Sequence, residues 1–233
     1  MDRLTRKELK SDRFALEVQH SIQVVSDHRQ QLVRWGTVAA VVAILVIAVV
    51  LYRNHEHVVR QEALHNAEQL QNATIGPQMN EYAVSFPTQA DRDKAVNKAF
   101  TELAAKYPGS DEGLIAEFFL GTNAADQGRL ADADKRLKDV ADSSTPYSAL
   151  AKVSLAQVYA AEGKEADGEK LLQSLIDHPT PLVSKEAATI ALAELIESKD
   201  PQRARKLLEP LRSSTRSGVS RVAISALSDL TQK

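Results

Sequence analysis

The sequence predicts an all-α protein: a single transmembrane helix followed by an α-solenoid of helix hairpins. Three observations predict it. The run from Trp35 to Tyr52, WGTVAAVVAILVIAVVLY, has no charged residue. Beyond Pro87 the chain carries helix formers almost throughout, with breakers at Pro108-Gly109, Gly128, Pro146, Gly163, Pro179-Thr180-Pro181, Asp200-Pro201 and Ser213 to Gly218. No alternating β-branched run lies between them. The breakers also recur at a nearly constant interval, as repeated hairpins would require.

Composition removes several functions. The 233 residues carry 29 Lys plus Arg against 31 Asp plus Glu, and no Cys. Near-neutrality argues against a dedicated nucleic-acid binder, and the missing Cys removes disulfides, thiolate nucleophiles and Cys-ligated zinc.

The uncharged run measures roughly 27 Å as a helix, and Leu32, Val33 and a snorkelling Arg34 bring it close to the ~30 Å hydrocarbon core. Trp35 and Tyr52 stand where interfacial aromatics do. Residues 35–52 are therefore expected to span a membrane. A cleaved signal peptide fits poorly, because 34 residues precede the run and Val49, Val50, Leu51 and Tyr52 lack a small-x-small cleavage pattern. Gly36 and Ala40, like Ala39 and Ala43, have the spacing that lets membrane helices approach closely.

Residues 1–34 form a cytosolic tail with seven basic and five acidic residues, and Ser11-Asp12 opens a helix with Phe14, Val18, Ile22, Val25 and Leu32 on one stripe. That amphipathic helix lies on the membrane, docks a partner, or serves as a solvated lead-in. Arg29 and Arg34 on one side of the span are balanced by Arg53 and Arg60 on the other. The short basic tail, set against a whole domain beyond the span, places the N-terminus in the cytoplasm. The protein is expected in the inner (cytoplasmic) membrane, single-pass, with its C-terminal domain periplasmic or otherwise extracytoplasmic.

Residues 53–87 read as a helical linker continuing from the span, since Asn54 to Ile75 has no Gly or Pro and Gly76-Pro77 would stop the helix. Residues 88–233 read as the solenoid with a C-terminal capping helix. Leu120-Gly121, Gly128, Ala133 and Leu137 have counterparts 35 residues later at Leu155-Ala156, Gly163, Gly168 and Leu172. Leu192-Ala193, Ile196, Asp200, Ala204 and Leu208 continue the series, and Phe100, Leu103 and Pro108 supply half of an earlier unit. Small residues at Gly121, Ala156 and Ala193, and at Ala133, Gly168 and Ala204, let paired helices approach. Large ones fill the space between units. Gly128 and Gly163 suit left-handed turns, and Gly168 should soften its helix by up to about 1 kcal/mol relative to Ala. Val219, Val222, Ala223, Ala226, Leu227 and Leu230 form the cap.

This pattern resembles the tetratricopeptide repeat family over residues 93–212. The earliest unit departs from it, because Phe86-Pro87 falls inside its first helix, so the helix leaving the membrane is expected to take that place.

No catalytic group emerges, and no enzymatic activity, cofactor, metal or small-molecule substrate is expected. His55 and His57 point to different helix faces, and Gly163-Lys164 lacks the glycine of a phosphate loop. Asp132, Asp134 and Asp139 read as a solvated acidic face, and Asn72-Ala73-Thr74 matches a glycosylation acceptor. Residues 53–198 contain 14 basic and 23 acidic residues, whereas 199–233 contain eight and three. Arg203, Arg205, Lys206, Arg212, Arg216 and Arg221 cluster at that free end. The inward face of the first helices would carry Ile115, Phe118, Thr122, Val153, Gln157, Ile190 and Glu194. These are the candidate partner-binding residues, suited to an extended polypeptide, although Phe118 and Ile190 also fit a core.

The layout of tail, span and exported repeats resembles the membrane-anchored tetratricopeptide proteins of the bacterial envelope, especially the ancillary Sec translocon subunit. That resemblance implies a scaffold binding polypeptides or chaperones beside the translocon. Lys106-Tyr107-Pro108-Gly109-Ser110 with Ala116 and Phe119-Leu120-Gly121 also resembles the repeats of Tol-Pal-associated cell-division coordinators, which implies an envelope-assembly or division adaptor instead. Expected partners are translocon components, periplasmic chaperones or envelope proteins, with membrane lipid around residues 35–52 and no nucleic acid.

Overall fold

A computed structural model of the chain describes residues 29–77 and 84–232. The stripe from Phe14 to Val25 and the basic residues from Arg3 to Arg13 fall outside them. The chain divides into two compact units, 1–58 and 59–233.

In the first unit, helix α1 (Arg29–Gln71) carries the apolar run. It is the one helix among the described residues long and apolar enough to cross a membrane, with a mean hydropathy of 2.5 over its best window and none of that window buried by protein. Trp35 is 74% exposed and Ile44 65%. Apolar side chains bare on all sides of a helix suit hydrocarbon as solvent. Within the run, the Thr37 hydroxyl donates to the Arg34 carbonyl at 2.8 Å, which satisfies the polar side chain inside the helix.

The second unit holds the end of α1 from Val59, then β1 (Thr74–Ile75), β2 (Ser85–Phe86) and helices α2 (Gln89–Lys106), α3 (Asp111–Asp126), α4 (Leu130–Ala141) and α5 (Ser148–Ala161). Helices α6 (Glu165–Asp177), α7 (Lys185–Ile196) and α8 (Pro201–Leu208), a 3-10 turn (Glu209–Ser213) and α9 (Ser217–Gln232) complete it. The all-α expectation holds, and the helices break where Pro, Gly and Asp were expected to break them. Ser110, Ser184 and Asp200 cap α3, α7 and α8 by accepting the backbone N–H groups of Gly113, Ala187 and Arg203. Pro201 stands in the first turn of α8, where its missing N–H costs nothing. Gly128 and Gly163 turn the chain between paired helices at φ +72° and +77°, a region a Cβ disfavours.

Helix α1 ends at Gln71, short of the expected stop at Gly76-Pro77. Asn72 sends both its backbone N–H and its side-chain amide to the Glu68 carbonyl, each at 3.0 Å. Such side-chain competition closes a helix, and the β-branched pair that follows prefers extended backbone. Thr74 and Ile75 pair in parallel with Ser85 and Phe86, a two-residue ladder that the all-α reading did not contain.

The core of this unit is a chain of three clusters. Ala67 of α1 meets Phe100, Leu103, Ala104, Ala116 and Leu120, with Ala63 and Leu64 packed against them. Residues 59–71, part of the expected linker, thus contribute to one core cluster with α2 and α3. Ala133, Leu137 and Val140 with Ala151, Leu155 and Val158 make the second cluster, and Leu172, Leu175, Ala188, Leu192, Ala204 and Leu208 the third. First helices of successive hairpins also touch, α3 with α5 and α5 with α7. Of the expected cap residues, Ala223, Ala226, Leu227 and Leu230 face the core, but Val222 is 46% exposed. Ala223, Ala226, Leu227 and Leu230 share one stripe of α9, and Val222 lies off it.

Candidate partner-binding surface

Six of the seven candidate residues occupy equivalent places on three helices. Phe118, Val153 and Ile190 correspond at offsets of 35 and 37 residues, and so do Thr122, Gln157 and Glu194. The structure separates the two sets. Phe118 packs against the second cluster, with its ring 5.5 Å from Phe119 and 5.4 Å from Tyr147 edge-on. Val153 and Ile190 both lie against the third cluster. One turn further along each helix, the second set meets solvent. Ile115 is half-buried on α3.

Thr122 and Gln157 come together across the α3–α5 seam. They line one groove of about 300 Å³ with Ala125, Leu130, Ser154 and Val158. Its floor is apolar, and Thr122, Ser154, Gln157 and Asp126 supply polar groups. Thr122 already donates its hydroxyl to the Phe119 carbonyl at 3.0 Å, which leaves its oxygen lone pairs outward. Glu194 stands alone on α7. Much of its area meets solvent, yet the protein mass around it and then the charge of Glu197 raise its carboxyl above the ordinary glutamate range.

A second groove, of about 380 Å³, runs between the end of α1, α2 and α3. Asn123 donates to Asn97 at 2.9 Å and Gln127 to Asn123 at 3.0 Å, which forms a line of amides above Phe100 and Phe119. Asn97 in turn donates to the Asp93 carbonyl at 3.0 Å. Sequence reading missed this set, because Asn97 belongs to a second helix and only the packing of α2 on α3 brings it to Asn123. The i, i+4 pairs Asp93/Asn97 and Asn123/Gln127 were the available signal.

Two charge readings change. Arg60, placed among the charges flanking the span, donates from Nε to Glu112 at 3.0 Å and sits 5.9 Å from the Tyr107 ring. Glu112 is only 5% exposed, so Arg60 is held within the repeat unit by a nearly dry carboxylate. The acidic face of α4 is also less solvated than expected. Asp132 pairs with Arg129 and Arg136, and Asp134 has one buried oxygen. Burial, followed by the charge and hydrogen bond of Asp134, raises the Tyr159 hydroxyl pKa.

Among the described residues no group of three or more His, Cys, Asp or Glu side chains is placed to hold a metal. The surface offers apolar floors with amides and hydroxyls above them, which suits contact with polypeptide. In comparison with known proteins, the family model described as tetratricopeptide repeat-like domain matches residues 29–180, more than half of the chain, and the chain belongs to that family. The matched stretch includes the apolar helix and the hairpins as far as α6. No curated protein and no solved structure matches the chain.

Proposed function

We propose that this tetratricopeptide repeat-like protein is a membrane-anchored scaffold, with α1 as its single span. On this reading the first-helix face of its repeats holds polypeptides or chaperones beside the Sec translocon, on the exported side of the cytoplasmic membrane. Repeat domains of this type are protein-interaction modules, and the coarse role of a protein-binding scaffold rests on the family. The finer reading rests on the groove that joins Thr122 to Gln157. An apolar floor bordered by hydroxyls and an amide can take an extended chain, whose side chains enter the floor while its backbone finds hydrogen-bond partners. The layout of tail, span and repeats, with its resemblance to the ancillary translocon subunit, supplies the location.

The test is photocrosslinking in intact membranes from position 157, using a photoreactive residue in place of Gln157. Adducts with translocon subunits, periplasmic chaperones or emerging exported chains are expected, and they should be lost when Thr122→Arg fills the groove. Adducts confined to Tol-Pal or division proteins would replace this reading with the envelope-adaptor one. Adducts with a soluble cytosolic enzyme would overturn the orientation.

A further inference from the structure

The α8–α9 end of the repeat unit differs in charge from the residues between it and the apolar run. Residues 199–233 carry eight basic and three acidic residues, against 14 and 23 over 53–198. Several of those cations are engaged inside the fold. Lys199 pairs with Glu165 at 2.8 Å, Arg203 with Glu169 at 2.7 Å, Arg216 with Glu186 at 3.2 Å and Arg212 with Glu209 at 2.8 Å. Arg205, Lys206 and Arg221 have no ion-pair partner among the described residues.

Two of those cations, Arg205 and Lys206, border clefts that contain apolar side chains. Arg205 and Lys206 line a cleft of about 470 Å³ with Leu230. Arg205 also lines the adjoining cleft of about 240 Å³, with Glu209, Arg212, Ser228 and the apolar Ile224 and Leu227. Of the nearby carboxylates, Asp200 accepts from the Arg203 N–H, Glu209 holds Arg212, and Asp229 is exposed on α9. On α9 itself Ile224 is 51% exposed and Val222 46%.

We infer that the α8–α9 end is a second docking site, for an acidic amphipathic helix supplied by a partner protein. Its carboxylates would meet Arg205 and Lys206, while its apolar stripe covers Ile224 and the half-buried edges of Leu227 and Leu230 that line the clefts. Charge complementarity selects this occupant. A second copy presenting the same face would set cation against cation. A lipid surface would meet the charges without entering the two clefts.

The experiment uses the full chain in neutral detergent micelles and a fluorescein-labelled peptide with Glu and Leu at helical spacing, read by fluorescence anisotropy. Saturable binding is expected, weakened about tenfold by Arg205→Glu with Lys206→Glu, weakened again by Ile224→Ser, and reduced by added salt. The milder pair Arg205→Gln with Lys206→Gln should lose part of the affinity with helicity unchanged. Thr122→Arg should leave binding intact, which separates this site from the groove. Absence of saturable binding would overturn the inference, as would equal binding of a peptide with Lys in place of Glu, or binding indifferent to Arg205 and Lys206. It also fails if the chain in phosphatidylcholine nanodiscs sediments with phosphatidylglycerol vesicles through these residues while ignoring the peptide. A dimer dissociated by the same substitutions would overturn it in favour of self-association.

Discussion

The hairpins α3–α4 and α5–α6 solve one packing problem from opposite sides. Each needs two helices in near backbone contact, and each has one glycine and one alanine at the crossing. In the first, Gly121 lies on the first helix and Ala133 on the second; in the next, Ala156 lies on the first and Gly168 on the second. The obstructions differ. A Cβ at residue 121 would meet the Leu137 side chain at 2.8 Å, whereas one at residue 168 would meet the Ala156 carbonyl oxygen at 2.8 Å and Leu195 Cδ1 at 3.0 Å. A side chain can turn aside, but a helix carbonyl moves only with its helix. Equivalent positions in a repeat can thus tolerate substitution very differently.

The largest expected effect tests whether the two hairpins are otherwise alike. Leu137 and Leu172 occupy matching places and are 0% and 1% exposed. Replacing either by Ala should cost about 3 kcal/mol, the middle of the range for buried leucines, measured by urea unfolding. A loss below about 1 kcal/mol at one site alone would mean that its cluster collapses around the vacancy, and the equivalence would fail.

Next comes the glycine pair itself. Gly168→Ala should destabilise by about 1–2 kcal/mol, since overpacking against backbone exceeds the gain of about 1 kcal/mol in helix propensity. Gly121→Ala should cost less, because the Leu137 side chain can shift. Thermal melts of both variants check the ranking, and the reverse order would show that Leu137 is held more rigidly than the Ala156 carbonyl.

Extending the comparison to the first hairpin brings in Glu112. Glu112→Gln removes the charge that holds Arg60, whose side chain is 26% exposed. Because that guanidinium can recover some hydration, the loss should be about 1 kcal/mol, below the cost of breaking a fully buried pair. Hydrogen exchange should then rise in residues 59–71 before it rises in α3, and uniform exchange would refute the pinning role.

The smallest effect is a pH dependence at α7. Burial and Glu197 raise the Glu194 pKa in the folded state above its ordinary value, so the ionised form opposes folding. That penalty is fully present above the folded pKa and disappears as pH falls through it toward the ordinary value of 4.5. Glu194→Gln should therefore raise Tm at neutral pH and leave it unchanged in acid. A shift of equal size at both would exclude a titration origin.

Helix order, break points and the apolar run were legible because each depends on local signals: charge-free length, caps, and glycine or proline where a turn must fall. Phe118 and Ile190 were readable as either core or groove, since helical spacing gives a direction and not a depth. Gly168 was read as a weakness in its helix. Its fit against the Ala156 carbonyl became visible only when α6 was set on α5. Arg60 looked like a charge beside the span because its carboxylate partner lies 52 residues away.

Local chemistry along the chain determined an all-helical unit, its breaks and a segment able to cross a membrane, since propensity, capping and hydropathy act over a few turns. Tertiary packing decided which equivalent residues share a groove, which charges find partners, and which face of α9 remains bare. Those properties belong to pairs of surfaces brought together across many residues of chain, and no single helix carries them.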